Sequence, residues 1–255
     1  MTHGTLRVSA LTKIFNKGST TVTALENVDI DIAEGEFVSI VGSSGCGKST
    51  LLNILAGLER QSSGQVLVNG RPIAGPGPDR AMVFQSDASF PWLTVKDNLE
   101  YGLKVQGRSQ AERERVVGEL LPLLGLDQFA HAYPRELSGG MRKRIDIGRA
   151  YAVEPEILLM DEPFGALDVV TREHMQDELL RTWSARRSTV VFITHDIDEA
   201  IMLSDRIVML SPRPGRVREV VDVPFARPRT PELRETADFY KLRTDLRRMM
   251  GEATR

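Results

Sequence analysis

Short apolar runs and period-two alternation alternate along this chain with stretches of helical period. Leu6 to Ala10 alternates apolar and polar residues and predicts an edge strand. A polar loop, Lys17-Gly18-Ser19-Thr20, separates it from a second alternating stretch, residues 22 to 32, with Val22, Ala24, Val28, Ile30 and Ile32 on one pattern. Phe37-Val38-Ser39-Ile40-Val41, Ile157-Leu158-Leu159-Met160 and Thr189-Val190-Val191-Phe192-Ile193-Thr194 are nearly continuous apolar runs, as strands buried on both faces require. Arg80 to Phe84 and Arg206 to Leu210 predict further strands, and Val217, Val220, Val221 and Val223 mark a last one. Gln65 to Val68 with Asn69-Gly70 reads as hairpin material, and Pro72 to Pro78 as a loop.

Helical spacing appears from Ser49 to Leu58. Residues 94 to 152 are largely helical: the capping box Ser109-Gln110-Ala111-Glu112 opens a helix to about Leu121, Pro122 and Gly125 interrupt it, and Met141 to Ala152 forms another. Asp196 to Ser204 is a short helix. Thr230-Pro231-Glu232 starts the last, whose apolar face is Leu233, Phe239, Leu242, Leu246 and Met249, with arginines and Lys241 elsewhere. Such a basic amphipathic helix fits either a membrane surface or the protein's own core; its narrow apolar face favours the core.

Composition alters this picture little. The chain has 255 residues, 41% hydrophobic and 27% charged, with a net charge of −2, so no overall basic field draws it to nucleic acid. Its one cysteine, Cys46, has no partner for a disulfide or a zinc site, which fits a reducing compartment. No run approaches the ~18 apolar residues of a membrane span, and Met1 to Ala10 lacks the apolar core of a signal peptide.

The chemistry centres on Gly42-Ser43-Ser44-Gly45-Cys46-Gly47-Lys48-Ser49-Thr50, which fits GxxxxGK[ST] between a buried strand and a helix. Glycines 42, 45 and 47 let successive N–H groups close on phosphate oxygens, and the helix start favours an anion. Lys48 would lie between β- and γ-phosphates, with the Ser49 hydroxyl on Mg²⁺. The expected fold is therefore α/β: a P-loop NTPase core, mainly parallel sheet flanked by helices, with an antiparallel β part and an inserted helical subdomain. Residues 1–85 and 155–225 are expected to form the core, 86–154 the helical subdomain and 226–255 a C-terminal extension.

The buried run 157–160 delivers Asp161 and Glu162 at its C-terminal end, where α/β sheets place ligands. One acid can serve Mg²⁺ and the other deprotonate a water for attack on the γ-phosphate. Gln85 at a strand end fits either a metal or water ligand or a polar surface. His195, tipping the 189–194 strand, fits either a phosphate donor or a structural histidine. Phe15 fits a purine stack or core packing. Leu137-Ser138-Gly139-Gly140 opens the helix at Met141, either as a second anion-binding start or as an ordinary serine cap.

Taken in order, these elements resemble the ATP-binding subunit of an ABC transporter over nearly the whole chain. The resemblance implies two copies head to tail with two ATPs between them, each meeting Lys48 of one copy and Ser138 with Gly140 of the other. It implies adenine on Phe15, Mg²⁺ on Ser49, Gln85 and Asp161, Glu162 as base, His195 at the γ-phosphate and Asp168, of Ala166-Leu167-Asp168, at the pair interface. The family's usual glutamine after Ser-Gly-Gly is Met141 here, which leaves the phosphate-facing groups in place. Pro91-Trp92-Leu93-Thr94-Val95 and Pro212-Arg213-Pro214-Gly215-Arg216 look like the bacterial nitrate, sulfonate and taurine importers. That branch implies permease subunits meeting the Gln85 to Leu103 region, with Trp92 as an anchor unless it is core. It also implies a separate solute-binding protein and a peripheral place on the cytoplasmic face of the inner membrane. An importer of another small metabolite, or a related ATPase of DNA repair or translation, are the alternative readings; those ATPases carry long coiled-coil inserts, extra domains or two cassettes, and this chain has one.

Overall fold

The computed structural model describes residues 4–18, 20–165 and 167–251, with the backbone alone for Lys17. Ser19 of the expected polar loop, Ala166 of the Ala166-Leu167-Asp168 run and residues 252–255 of the expected C-terminal extension lie outside the described residues. The chain divides into two compact units, one of Gly4–Gly77 with Thr189–Arg255 and the other of Pro78–Ser188.

The first unit begins with β1 (Leu6–Lys17) and β2 (Thr20–Ile32), paired antiparallel with Leu6 opposite Ile32. β3 (Phe37–Val41) follows, buried at every residue, and the glycine loop then leads into α1 (Lys48–Leu55). β4 (Ser63–Val68) and β5 (Arg71–Pro72) join β1 and β2 in one antiparallel sheet of order β2-β1-β4-β5. Leu6 to Ala10 is thus an interior segment, not the edge strand expected. Alternation reports one buried face and carries no information on how many neighbours bond to the backbone. The hairpin at Asn69-Gly70 is as expected: φ is 51° and 73° at its two residues, which join the paired Val68 and Arg71.

The second unit is built on β6 (Arg80–Val83) and β7 (Ile157–Asp161), parallel, with Val83 opposite Met160. Between them run α2 (Val95–Val105), α3 (Gln110–Leu123) and α4 (Gly139–Ala152), and α5 (Val169–Arg186) follows β7. The Ser109–Glu112 capping box forms, and Pro122 sits inside the last turn of α3 instead of stopping it. α5 is the longest helix described and is invisible to periodicity, because its buried face mixes Met175, Leu179 and Trp183 with Gln176, Thr182 and Arg186.

The chain then returns to the first unit with β8 (Thr189–Thr194), α6 (Ile197–Leu203), β9 (Arg206–Leu210), β10 (Val217–Asp222) and α7 (Ala237–Gly251). β8 and β9 flank β3, both parallel to it, and β10 runs antiparallel to β9. The last helix starts at Ala237; Pro231–Glu235 is a separate short 3-10 turn. Phe239 and Leu246 of α7 are fully buried among Val41, Ile201, Met209 and Val223, and Arg243 bonds to Asp198 at 3.2 Å. The apolar face of α7 therefore docks on the protein's own core. Among the described residues no helix is long and apolar enough to cross a membrane.

Phe239→Ala should cost about 3–5 kcal/mol, the usual penalty for emptying an aromatic core site. Its neighbour Tyr240, 60% exposed, should tolerate alanine within about 0.5 kcal/mol. Urea titration of both variants checks this; equal midpoints would contradict the docking of α7.

Candidate functional site

Residues Gly42 to Gly47 span the gap between β3 and α1 as a tight loop. Gly47 caps α1 at φ 109°, and a Cβ there would meet Ala24 O at 2.9 Å and Leu25 Cδ2 at 2.8 Å. Only glycine fits that approach. Lys48 is buried, and its Nζ donates to Gly42 O at 2.9 Å and Ser43 O at 3.2 Å. The side chain thus lies along the loop as a cation set among backbone dipoles. Cys46 is buried beneath the loop; burial pushes its thiol up, opposed by the Lys48 charge. Ser44, Gly45 and Ser49 face solvent, and Ser43 and Thr50 are half-buried.

Parallel pairing places His195 here. Val41 lies opposite Thr194, so the next residues, Gly42 and His195, leave the sheet side by side, with His195 exposed. Phe15 lies on β1 opposite Val22, 38% exposed, with Lys13 Nζ 4.6 Å from its ring centre. It is therefore not a core residue.

The turn at residues 211–216 has a role that sequence reasoning missed. Gly215 donates to Ala24 O and accepts from Glu26 N, both at 2.9 Å, which clips the turn to β2. A Cβ on Gly215 would fall 2.1 Å from Cys46 O, and Arg213 Nε donates to Gly45 O at 3.3 Å. The turn braces the outer side of the loop. Its proline and glycine content flagged a turn, but nothing local named a partner so distant in sequence.

In the second unit, Val83 opposite Met160 sends Gln85 and Glu162 out of β6 and β7 at the same level, beside Asp161. A Cβ on Gly165 would lie 3.8 Å from both Gln85 Nε2 and Glu162 Oε2, so the two side chains converge there. Asp161 and Glu162 are partly exposed and Gln85 exposed. Glu162 has φ 41°, a left-handed backbone that costs a non-glycine residue about 1 kcal/mol or more and recurs at active sites.

The same unit joins two helix starts. Ser138 caps α4, its Oγ accepting from Met141 N at 3.2 Å. A Cβ on Gly140 would meet Thr171 Cγ2 at 2.7 Å, so the start of α4 presses on the first turn of α5. Asp168 caps α5, accepting from Thr171 N at 3.0 Å and Thr171 Oγ1 at 2.7 Å, and these bonds hold its carboxyl below the usual range. Ser138 and Asp168 are exposed, Gly139 is half-buried and Gly140 buried. The serine cap is real, and so is its exposure at a helix start.

Trp92 is 70% exposed, its ring 5.5 Å from Phe90, and the core alternative falls. Phe90 also meets Tyr101 edge-on at 4.6 Å. Phe90, Trp92 and Tyr101 form an aromatic ledge just after Gln85.

The family model described as ABC transporter matches residues 25–165. A putative ATP-binding protein of Brucella abortus is 53% identical over 220 residues, covering 86% of this chain and 85% of that protein. The nitrate import ATP-binding protein NrtD of Synechocystis is 45% identical over 242 residues, covering 92% and 91%. A solved dimeric post-hydrolysis state of an ATP-binding cassette, bound to ADP and Pi, superposes with a TM-score of 0.75 at 34% identity, covering 87% of this chain and 100% of that one.

Gly215→Ala should weaken nucleoside triphosphate binding by about tenfold or more, since its Cβ must displace the loop at Cys46. Gly75→Ala, which adds a Cβ in open space, should leave affinity unchanged. Titration with a fluorescent triphosphate checks the pair; identical affinities would contradict the brace.

Proposed function

This chain belongs to the ABC transporter family, and we propose that it is the ATP-hydrolysing subunit of an importer, working as a pair of identical chains with shared sites. ATP binding and hydrolysis rest on the family and the phosphate loop. The observation that carries the shared-site reading is that one chain holds two glycine-flanked helix starts, one behind Gly47 and one behind Ser138, of a kind suited to anions. The solved cassette relatives are dimers, which supports giving the second start to the other copy's triphosphate.

In this reading Lys48 and the loop N–H groups hold the β- and γ-phosphates, Phe15 takes the adenine and His195 donates to the γ-phosphate. Ser138 and Gly140 of the other copy add N–H and hydroxyl donors where negative charge grows as the γ-phosphate departs. Asp168 lies at the pair interface. Glu162 removes a proton from the attacking water, whose oxygen bonds to the γ-phosphorus as the bond to the β–γ bridging oxygen breaks, giving ADP and phosphate. The strained backbone at Glu162 holds that carboxylate on its line beside Gln85. Ser49, Asp161 and Gln85 offer hydroxyl, carboxylate and amide oxygens, a hard donor set that suits Mg²⁺ together with phosphate oxygens. Mg²⁺ there supplies charge neutralisation of the phosphates.

The relatives named for nitrate import support an oxyanion or similarly small solute as cargo, delivered by a solute-binding protein to permease subunits. The ledge of Phe90, Trp92 and Tyr101 fits the permease contact, which holds the chain on the cytoplasmic face of the membrane.

Glu162→Gln should keep ATP affinity, lower hydrolysis by about 10²–10⁴ and accumulate an ATP-bound dimer. Steady-state turnover and size-exclusion chromatography with ATP check this; undiminished turnover would remove Glu162 as base. Trp92→Ala should weaken binding to the membrane subunits that co-purify with the wild-type chain by about thirtyfold. Equal affinities in detergent would move the docking surface elsewhere.

A further inference from the structure

One side of α4 carries four charged residues, Arg142, Lys143, Asp146 and Arg149, with Asp146 one turn from each of the three cations. The middle two do not face water. The Lys143 and Asp146 side chains are each 3% exposed. Buried charges of this kind persist only when paired and hydrogen-bonded; Lys143 and Asp146 pair with each other and hydrogen-bond to the segment that follows β6.

Lys143 Nζ donates to Phe84 O and Gln85 O, both at 3.1 Å. Asp146 Oδ2 accepts from Ala88 N at 3.0 Å and lies 3.6 Å from Lys143 Nζ. Arg149 donates to Ala88 O, lies 3.9 Å from Asp146 Oδ1 and places its guanidinium 4.1 Å from the Phe90 ring centre. Arg142 Nε donates to Asp87 Oδ2 at 2.8 Å. Asn98 of α2 finishes the attachment, accepting from Phe90 N at 2.8 Å and donating to Phe90 O at 3.1 Å. Backbone groups of Phe84, Gln85, Ala88 and Phe90, together with the Asp87 carboxylate, are thus bonded to α4 and α2.

We propose that Lys143, Asp146 and Arg149 are positioning residues that fasten the Gln85 segment to α4, so that Gln85, the Ser138 helix start and the aromatic ledge move as one piece. Lys143 fixes the carbonyl of Gln85 itself. Asp146 neutralises the two cations on either side of it and grips Ala88. Arg149 carries the attachment on to the ring against which Trp92 stacks. A permease pushing on the ledge then displaces Gln85 and Ser138 together, and closure of the pair around ATP returns the same motion to the ledge. This rests on the importer reading above and adds to it the residues that transmit the movement.

The test uses the full-length chain and compares Lys143→Met, Lys143→Arg, Asp146→Asn and Gln85→Ala in ATP affinity and kcat. Lys143→Met and Asp146→Asn should lower kcat tenfold or more while ATP affinity stays within twofold, because the phosphate loop is not touched. Lys143→Arg, which keeps the donors and the charge, should restore most of the rate. If Gln85→Ala loses activity while Lys143→Met and Asp146→Asn keep it, the fastening role is overturned and the reading of the site stands. If Gln85→Ala keeps full activity, the role of Gln85 fails instead, and with it any effect transmitted through it. Affinity falling in step with kcat in both Lys143→Met and Asp146→Asn would mark general damage to the fold and also overturn the proposal.

Discussion

Setting the ammonium of Lys48 under a glycine loop, bonded to neutral carbonyls, is the constraint around which the first unit is arranged. A buried cation is costly unless negative charge meets it, and backbone carbonyls offer dipoles without a net charge. A phosphate completes the balance, and the loop N–H groups and the start of α1 add to its hold. The loop keeps its shape because three separate pieces of chain close on it: β2 at Ala24 and Leu25, β9 at Leu210, and the 211–216 turn through Gly215. Gly42, Gly47 and Gly215 are each glycine because a neighbour lies where a Cβ would go. The affinity of the site is thus a property of packing as much as of charge.

The second unit applies the same economy of space to a different end. Gly140 permits the start of α4 to press on Thr171, and Thr171 is held by Asp168. The serine–glycine helix start and the Asp168 turn therefore cannot move independently. In the same unit, parallel pairing of β6 with β7 brings Gln85 level with Glu162, and the bonds from Lys143 attach Gln85 to α4, the helix that Ser138 caps. Hydrogen bonds from Lys143 and Arg149 thus connect the surface ledge to Gln85, whose side chain converges with that of Glu162 beside Gly165.

What could be read from the sequence was what is local. The phosphate loop, the buried runs at 157–160 and 189–194, the Ser109–Glu112 cap and the Asn69-Gly70 hairpin each follow from a few neighbouring residues, and they place Lys48 at a helix start and Glu162 and His195 at strand ends. Partners far apart in sequence were not legible. Alternation in Leu6 to Ala10 could not say that β4 would cover its second side. The polar residues in the buried face of α5 hid that helix, and the short 3-10 turn at Pro231 imitated the start of α7. The support of the loop by Arg213 and Gly215, and the charged row on α4, depend on contacts that only the folded chain makes.

The central claim is that each ATP is held by two copies of the chain, with the loop from one and the Ser138 start from the other. Mixing two variants tests it most directly: Lys48→Ala, which has a damaged loop, and Ser138→Arg, which has a blocked helix start. Each is expected to be inactive alone. In a mixed pair, the intact loop of one chain faces the intact Ser138 of the other, so ATP hydrolysis should reappear on mixing. A mixture as inactive as its two components would contradict the shared site.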